Sequence, residues 1–202
     1  MQEKENQLTK NLIPNQWTTG RLSITDSTLD EAPELQRIND VVPQTSTFMR
    51  VEGKDEADCT MLSAIRDGVL PPTPDRSKEK FRLQSIRLSS SNELIGFLGV
   101  YHGFPSADIF WINTLTFHPD FQGKGYGSEL LTKLAEIVKG LGCFSSMRTY
   151  VAINNIHSLR LCVKSGFNHL LAVVGEQEQM DTTNTHVLLD KPFETTHIKK
   201  DV

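Results

Sequence analysis

The chain has 202 residues, a net charge of −4 and a pI near 5.9. That length fits one domain whose core needs no staples, and 38% hydrophobic content is ordinary for a globular protein. There is no basic stripe for nucleic acid, no run of 18 apolar residues to span a bilayer and no apolar signal core in residues 1–16. No nucleic-acid or membrane partner is therefore expected, and the expected location is cytoplasmic. Cys59, Cys143 and Cys162 are far apart and odd in number, so they read as free thiols in a reducing compartment. The six histidines show no metal-ligand spacing and no Cys-x-x-Cys occurs, so no metal is expected.

Residues 1–17 are polar and mixed in charge, and read as a flexible N-terminal arm before a single domain over residues 18–195. Arg21 to Thr25 alternates like a first strand. Ser27 or Thr28 can cap a helix to about Asn39, with Leu29, Ala32, Leu35 and Ile38 on one stripe. A second helix is expected from Asp55 to about Gly68, ended by Leu70-Pro71-Pro72-Thr73-Pro74. Three strands follow, about 80–88, 94–101 and 109–117, separated by Ser89–Asn92 and Gly103–Ser106 turns. They predict an antiparallel meander.

After the third strand stands Gln122-Gly123-Lys124-Gly125-Tyr126-Gly127-Ser128. Three glycines at alternate positions leave a backbone with almost no side-chain cover, and a helix follows. Convergent N–H groups and the positive end of a helix dipole make a phosphate cradle. A P-loop needs Ser or Thr after Gly-Lys, and here Gly125 follows Lys124. The dinucleotide fingerprint needs its third glycine three places after the second, and an acid about 20 residues on. Here the third glycine comes two places after the second, and residues 141–144 are still the helix end and its turn.

The helix carries Leu130, Leu134, Ile137 and Leu141 at helical spacing and stops at Gly140 and Gly142. A buried strand (147–153), a short helix (156–165) with Gly166 as its left-handed end, and two strands (about 167–174 and 185–189) complete the chain. Strands followed by alternating strands and helices predict a mixed α/β (α+β) sheet.

Gln122, Gly125 and Gly127 match Gln/Arg-x-x-Gly-x-Gly between a strand and a helix. On these residues the chain resembles the GNAT N-acetyltransferases at their coenzyme A loop. Residues 155–167 are similar to the family's second signature, with Asn155, Ser158, Leu161, Lys164, Gly166 and Phe167 in register and Cys162 where Tyr is usual. The likeness spans roughly residues 80–192 and is loose over residues 18–79. It implies a central, mostly antiparallel sheet splayed between its middle strands, with helices on both faces.

The resemblance also implies acetyl-CoA as co-substrate, with its pyrophosphate on residues 122–128. In the loop, Lys124 can offset phosphate charge, while the plain alternative for Lys124 and Tyr126 is two solvated side chains. The backbone of Leu115, Thr116 and Phe117 would bind the pantetheine arm like an added strand, and the Leu115 N–H would polarise the thioester carbonyl. Asn155 matches a cofactor-side residue and is also well placed as a helix N-cap. Amine acetylation needs a neutral amine, so something must take its proton. By counting from the loop, Trp111 stands where many members place a Glu. Asn113 can hold a relay water, Asp108 is a candidate if it points inward, and His118 reads as a surface residue. Cys162 either protonates the leaving thiolate or is a small buried hydrophobe.

The expected function is transfer of the acetyl group from acetyl-CoA directly to a primary amine of a small molecule. Acetylation of a protein N-terminus or lysine, and a non-catalytic acyl-CoA sensor, are the alternatives. A homodimer is possible. Residues 26–75 hold eleven acids against four arginines or lysines. That excess either favours a cationic acceptor or is a solvated helix face.

Overall fold

The described residues form eight strands and four α-helices. The structure, a computed structural model, describes residues 11–42, 60–74, 76–175 and 185–193. In chain order the strands are β1 (Gln16–Thr18), β2 (Leu22–Asp26), β3 (Phe81–Leu88), β4 (Leu94–His102), β5 (Ile109–Phe117), β6 (Ser146–Ala152), β7 (His169–Val174) and β8 (His186–Pro192). The helices are α1 (Ala32–Asp40), α2 (Met61–Asp67), α3 (Tyr126–Gly140) and α4 (Ile156–Lys164). The strands form one sheet in the order β1-β2-β3-β4-β5-β6-β8-β7. β5 and β6 are parallel, joined through α3, and all other neighbours are antiparallel.

Each face of the sheet has its own core. On one face α3 and α4 bury Leu130, Leu134, Val138 and Cys162 against Ile95, Leu98, Phe110 and Val151. On the other, Leu35 and Ile38 of α1 and Met61 and Ala64 of α2 meet Leu83, Leu94 and Phe97. Leu130 and Leu134 are fully buried, and each such side chain contributes roughly 1.5–3 kcal/mol.

The helix ends follow local chemistry. α2 opens on a capping box in which Thr60 Oγ1 accepts from the Ser63 N–H at 3.2 Å and Ser63 Oγ accepts from the Thr60 N–H at 3.0 Å. The helix expected from Asp55 thus begins at Met61, and residues 55–59 lie outside the described residues. α4 ends where Gly166, at φ +89°, lets the Phe167 N–H reach the Cys162 carbonyl at 3.0 Å. Leu29, expected on the apolar stripe, is 53% exposed, because residues 29–31 form a separate 3₁₀ turn.

The expected loose arm fails for residues 11–17, while residues 1–10 lie outside the described residues. Ile13 and Trp17 are buried, and β1 pairs with β2. Trp17 Nε1 donates to Gln84 Oε1 at 2.9 Å, and Gln84 Nε2 donates to the Pro14 carbonyl at 2.9 Å. A three-residue strand is too short to show a period, so polar neighbours hid it.

Candidate active site

The site begins where two strands part. The β5–β6 ladder runs from Ile109↔Ser146 to Ile112↔Thr149 and stops. Thr149 Oγ1 closes it by donating to the Ile112 carbonyl at 3.0 Å. Asn113 is the extra residue of a β-bulge, since Thr114 faces Gly99 while Ile112 faces Val100. A bulge bends its strand and raises the local twist. Beyond it, among the described residues, Asn113–Phe117 run on with no strand beside them on the β6 side.

A cavity of about 420 Å³ fills this gap between β5, β6, α3 and α4. Asn113, Leu115, Thr116, Phe117, Gln122, Gly123, Gly125, Tyr126, Gly127, Ser128, Asn155 and Cys162 all line it. Lys124 does not; its ammonium sits over the Phe121 ring, 5.0 Å from the centroid. Among the described residues the lining has no carboxylate, and it includes Lys164 and His157. An anionic ligand meets no like charge there.

The three loop glycines have different reasons. Gly123 and Gly125 adopt φ +73° and +84°, which L side chains rarely adopt. Gly125 is the N-cap of α3, and a Cβ on it would come 3.4 Å from the Arg21 guanidinium. Gly127 has no such angle. A Cβ there would lie 2.8 Å from Leu161 Cδ2, so glycine there admits the close approach of α4.

Neighbours hold the loop in place. Gln122 Nε2 donates to the Phe117 carbonyl at 2.8 Å. Arg21, from the β1–β2 turn, pairs with Glu129 (Nε···Oε2 2.6 Å), donates to the Lys124 carbonyl at 3.1 Å, and lies 4.4 Å from the Tyr126 ring centroid. Burial pushes the Glu129 carboxyl up, but hydrogen bonds from Thr19 and Arg21 outweigh it and leave its pKa below the ordinary value. Arg21 carries no local motif, and only the fold brings it to residue 125.

The base and acid candidates separate. Asp108 lines neither the splay cavity nor the neighbouring one. Its carboxylate accepts from Ser145 Oγ at 2.5 Å and Ser106 Oγ at 2.7 Å, which hold its pKa low, so it is a turn fixture and a poor base. His118 caps a 3₁₀ turn, its Nδ1 accepting from the Asp120 N–H at 3.3 Å. Asn155 Oδ1 accepts from the Ser158 N–H at 3.0 Å and caps α4 as expected. Cys162 is 7% exposed, and burial pushes its thiol up to about 12.

A second cavity, of about 310 Å³, lies beside Val69–Pro72, Tyr101 and Trp111. Asn113 and Tyr150 line both cavities, at the end of the β5–β6 ladder. Tyr150 is the first β6 residue past the last pair. Its ring packs edge-to-face on Trp111 at 4.9 Å. Sequence reasoning missed Tyr150, because its place depends on a parallel register between distant segments.

Among the described residues, no cluster of three or more His, Cys, Asp or Glu could hold a metal, and no helix is long and apolar enough to cross a membrane. Of the six described acids of residues 26–75, four serve the framework. Asp26 accepts from Gln84, Glu31 pairs with Arg87, Asp40 accepts from Gln36 and Asp67 pairs with Arg66. Glu52, Asp55, Glu56, Asp58 and Asp75 lie outside the described residues.

The profile of the acetyltransferase (GNAT) family matches residues 57–167. No curated protein matches the sequence. Among solved structures, an acetyltransferase from Thermus thermophilus superposes with TM-score 0.60 at 20% identity, over 88% of this chain and 100% of that one. The microcin C7 self-immunity acetyltransferase MccE, solved with acetyl-CoA and AMP, gives 0.65 at 16% identity, over 91% and 99%. The aminoglycoside acetyltransferase AAC(6')-Ib, solved with coenzyme A, gives 0.61 at 16% identity, over 85% and 94%. These likenesses carry the fold, and the family profile spans more than half of the chain. The chain belongs to the acetyltransferase (GNAT) family, a class of acetyl-CoA-dependent enzymes.

Proposed function

We propose that the protein transfers the acetyl group of acetyl-CoA directly to a primary amine of a small-molecule acceptor. The observation that carries this is a pair of cavities that share Asn113 and Tyr150 in their linings. One has a glycine loop at a helix N-terminus for an anionic co-substrate, and the other is small enough for a small acceptor.

Acetyl-CoA supplies an activated acyl carbon, and the chain supplies position and charge. Residues 122–128 hold the phosphates through backbone N–H groups and the α3 dipole. The free edge of Leu115–Phe117 takes the pantetheine arm as a strand would. The Leu115 N–H donates a hydrogen bond to the acyl oxygen as negative charge develops there. Asn113, at the bulge, holds the water through which the amine loses its proton, since no carboxylate lines either cavity among the described residues. Cys162 packs rather than donating a proton.

Calorimetric titration with acetyl-CoA, then an amine panel read by release of free thiol, tests the reading. Binding with turnover of at least one small amine is expected. Binding without turnover of any amine would make the protein a sensor, and turnover of peptides alone would move it to protein acetylation.

A further inference from the structure

The second cavity has a chemical character of its own. Tyr101, Phe104, Trp111, Tyr150 and His186 line it, with Val69–Pro72 from the segment after α2. The rings form a continuous ladder across the strands. Phe104 meets Trp111 edge-to-face at 4.9 Å, Trp111 meets Tyr150 at 4.9 Å, and Tyr150 meets His186 at 6.4 Å. Trp111 is 6% exposed and Tyr101 1%, so these are fixed walls rather than solvated side chains. Among the described residues no Asp, Glu, Lys or Arg lines the cavity.

We infer that the acceptor is an amine carried on a flat aromatic or compact apolar group, not a polycation. The inference rests on the acetyl-transfer reading above. A polyamine would bring several ammonium groups against a lining that, among the described residues, has no carboxylate to pair them, and an unpaired buried charge is costly. Cation–π attraction needs an open ring face, but Trp111 already packs on two other rings. A flat apolar group buries surface against the ladder and leaves a single nitrogen to point at the Asn113–Tyr150 junction. There a neutral amine, the form that can attack, is also the form an apolar wall favours.

The test compares 2-phenylethylamine, spermidine and a short unmodified peptide at saturating acetyl-CoA, reading thiol release. Acetyl-CoA affinity is measured by calorimetry on the same samples. Phenylethylamine is expected to exceed spermidine in kcat/KM by about tenfold or more. Phe104→Ala, in a half-buried loop position, should raise the phenylethylamine KM about tenfold and leave kcat and acetyl-CoA affinity within about twofold. Trp111→Ala should do more, with acetyl-CoA binding serving as the check that it folds. Equal or better turnover of spermidine or the peptide overturns the inference, as does an unchanged KM in Phe104→Ala. So does binding of acetyl-CoA with no amine turned over. Failure to bind acetyl-CoA at all would instead sink the acetyl-transfer reading itself.

Discussion

Replacing Cys162 by alanine should leave turnover almost untouched. A leaving thiolate resembles an ordinary thiol in basicity, with a pKa of about 8.5. Cys162 is 7% exposed on α4, and burial holds its thiol at about 12. Handing that proton to the thiolate runs uphill by roughly 3.5 units, or about 5 kcal/mol at 1.36 kcal/mol per unit. A donor so poorly matched gives little general-acid help. The expected kcat for Cys162→Ala therefore stays within about twofold of wild type, measured by thiol release at saturating acetyl-CoA. Stability is the quantity that moves, by about 1 kcal/mol for a small buried group. It should also change with pH in a defined way. Below about 9 the thiol is neutral in both states; above that the unfolded chain ionises first, so wild-type stability falls as pH climbs toward 12. The variant lacks that alkaline loss. A kcat drop of more than about tenfold, with acetyl-CoA affinity and folded fraction unchanged, would refute the reasoning. So would an acetyl adduct on wild type after incubation with acetyl-CoA alone, absent from the variant, since that would establish a covalent route.

Gly125→Ala should weaken acetyl-CoA binding about tenfold, because a left-handed alanine costs about 1–2 kcal/mol; calorimetry reads it. Gly127→Ala should act through Leu161, lowering Tm by about 2–10 °C for an overpacking cost of about 1–3 kcal/mol, with a smaller effect on affinity; the reverse ranking would contradict the loop assignment. Asn113→Ala should lower kcat by less than about 10²-fold, as expected for a residue that holds a water rather than takes the proton. Asp108→Ala should leave kcat unchanged and reduce Tm, since its carboxylate serves Ser106 and Ser145. Glu31 is pushed up by burial, yet the Thr28 N–H, Arg87 and Ser85 outweigh that and lower its pKa. Its contribution is present above the ordinary carboxylate pKa and is lost as pH falls through the lowered value. Glu31→Gln should therefore flatten the acid limb of a Tm–pH curve.

The loop at residues 122–128, the stripe of α3 and the Asn155 cap were legible in the sequence because each is a local pattern. Glycine spacing, a 3.6 period and an N-cap residue act within a few bonds of one another. The meander of β3, β4 and β5 was legible for the same reason, since turn residues separate consecutive apolar runs. β1 was not, because the partner of Trp17, Gln84, lies 67 residues away and is brought near only by the fold. The site was half legible. Which glycine clears space and which admits a positive φ depends on Leu161 and Arg21, which lie 34 and 104 residues from Gly127 and Gly125. The place where β5 and β6 part, the bulge at Asn113 and the position of Tyr150 between two cavities follow from pairing registers between distant segments. Composition alone allowed an acidic acceptor side, yet the fold turns most of the described acids toward arginines, amides and hydroxyls and lines the cavity with rings. Side-chain type is written in the chain, but the neighbour that gives it a role is chosen by tertiary contacts.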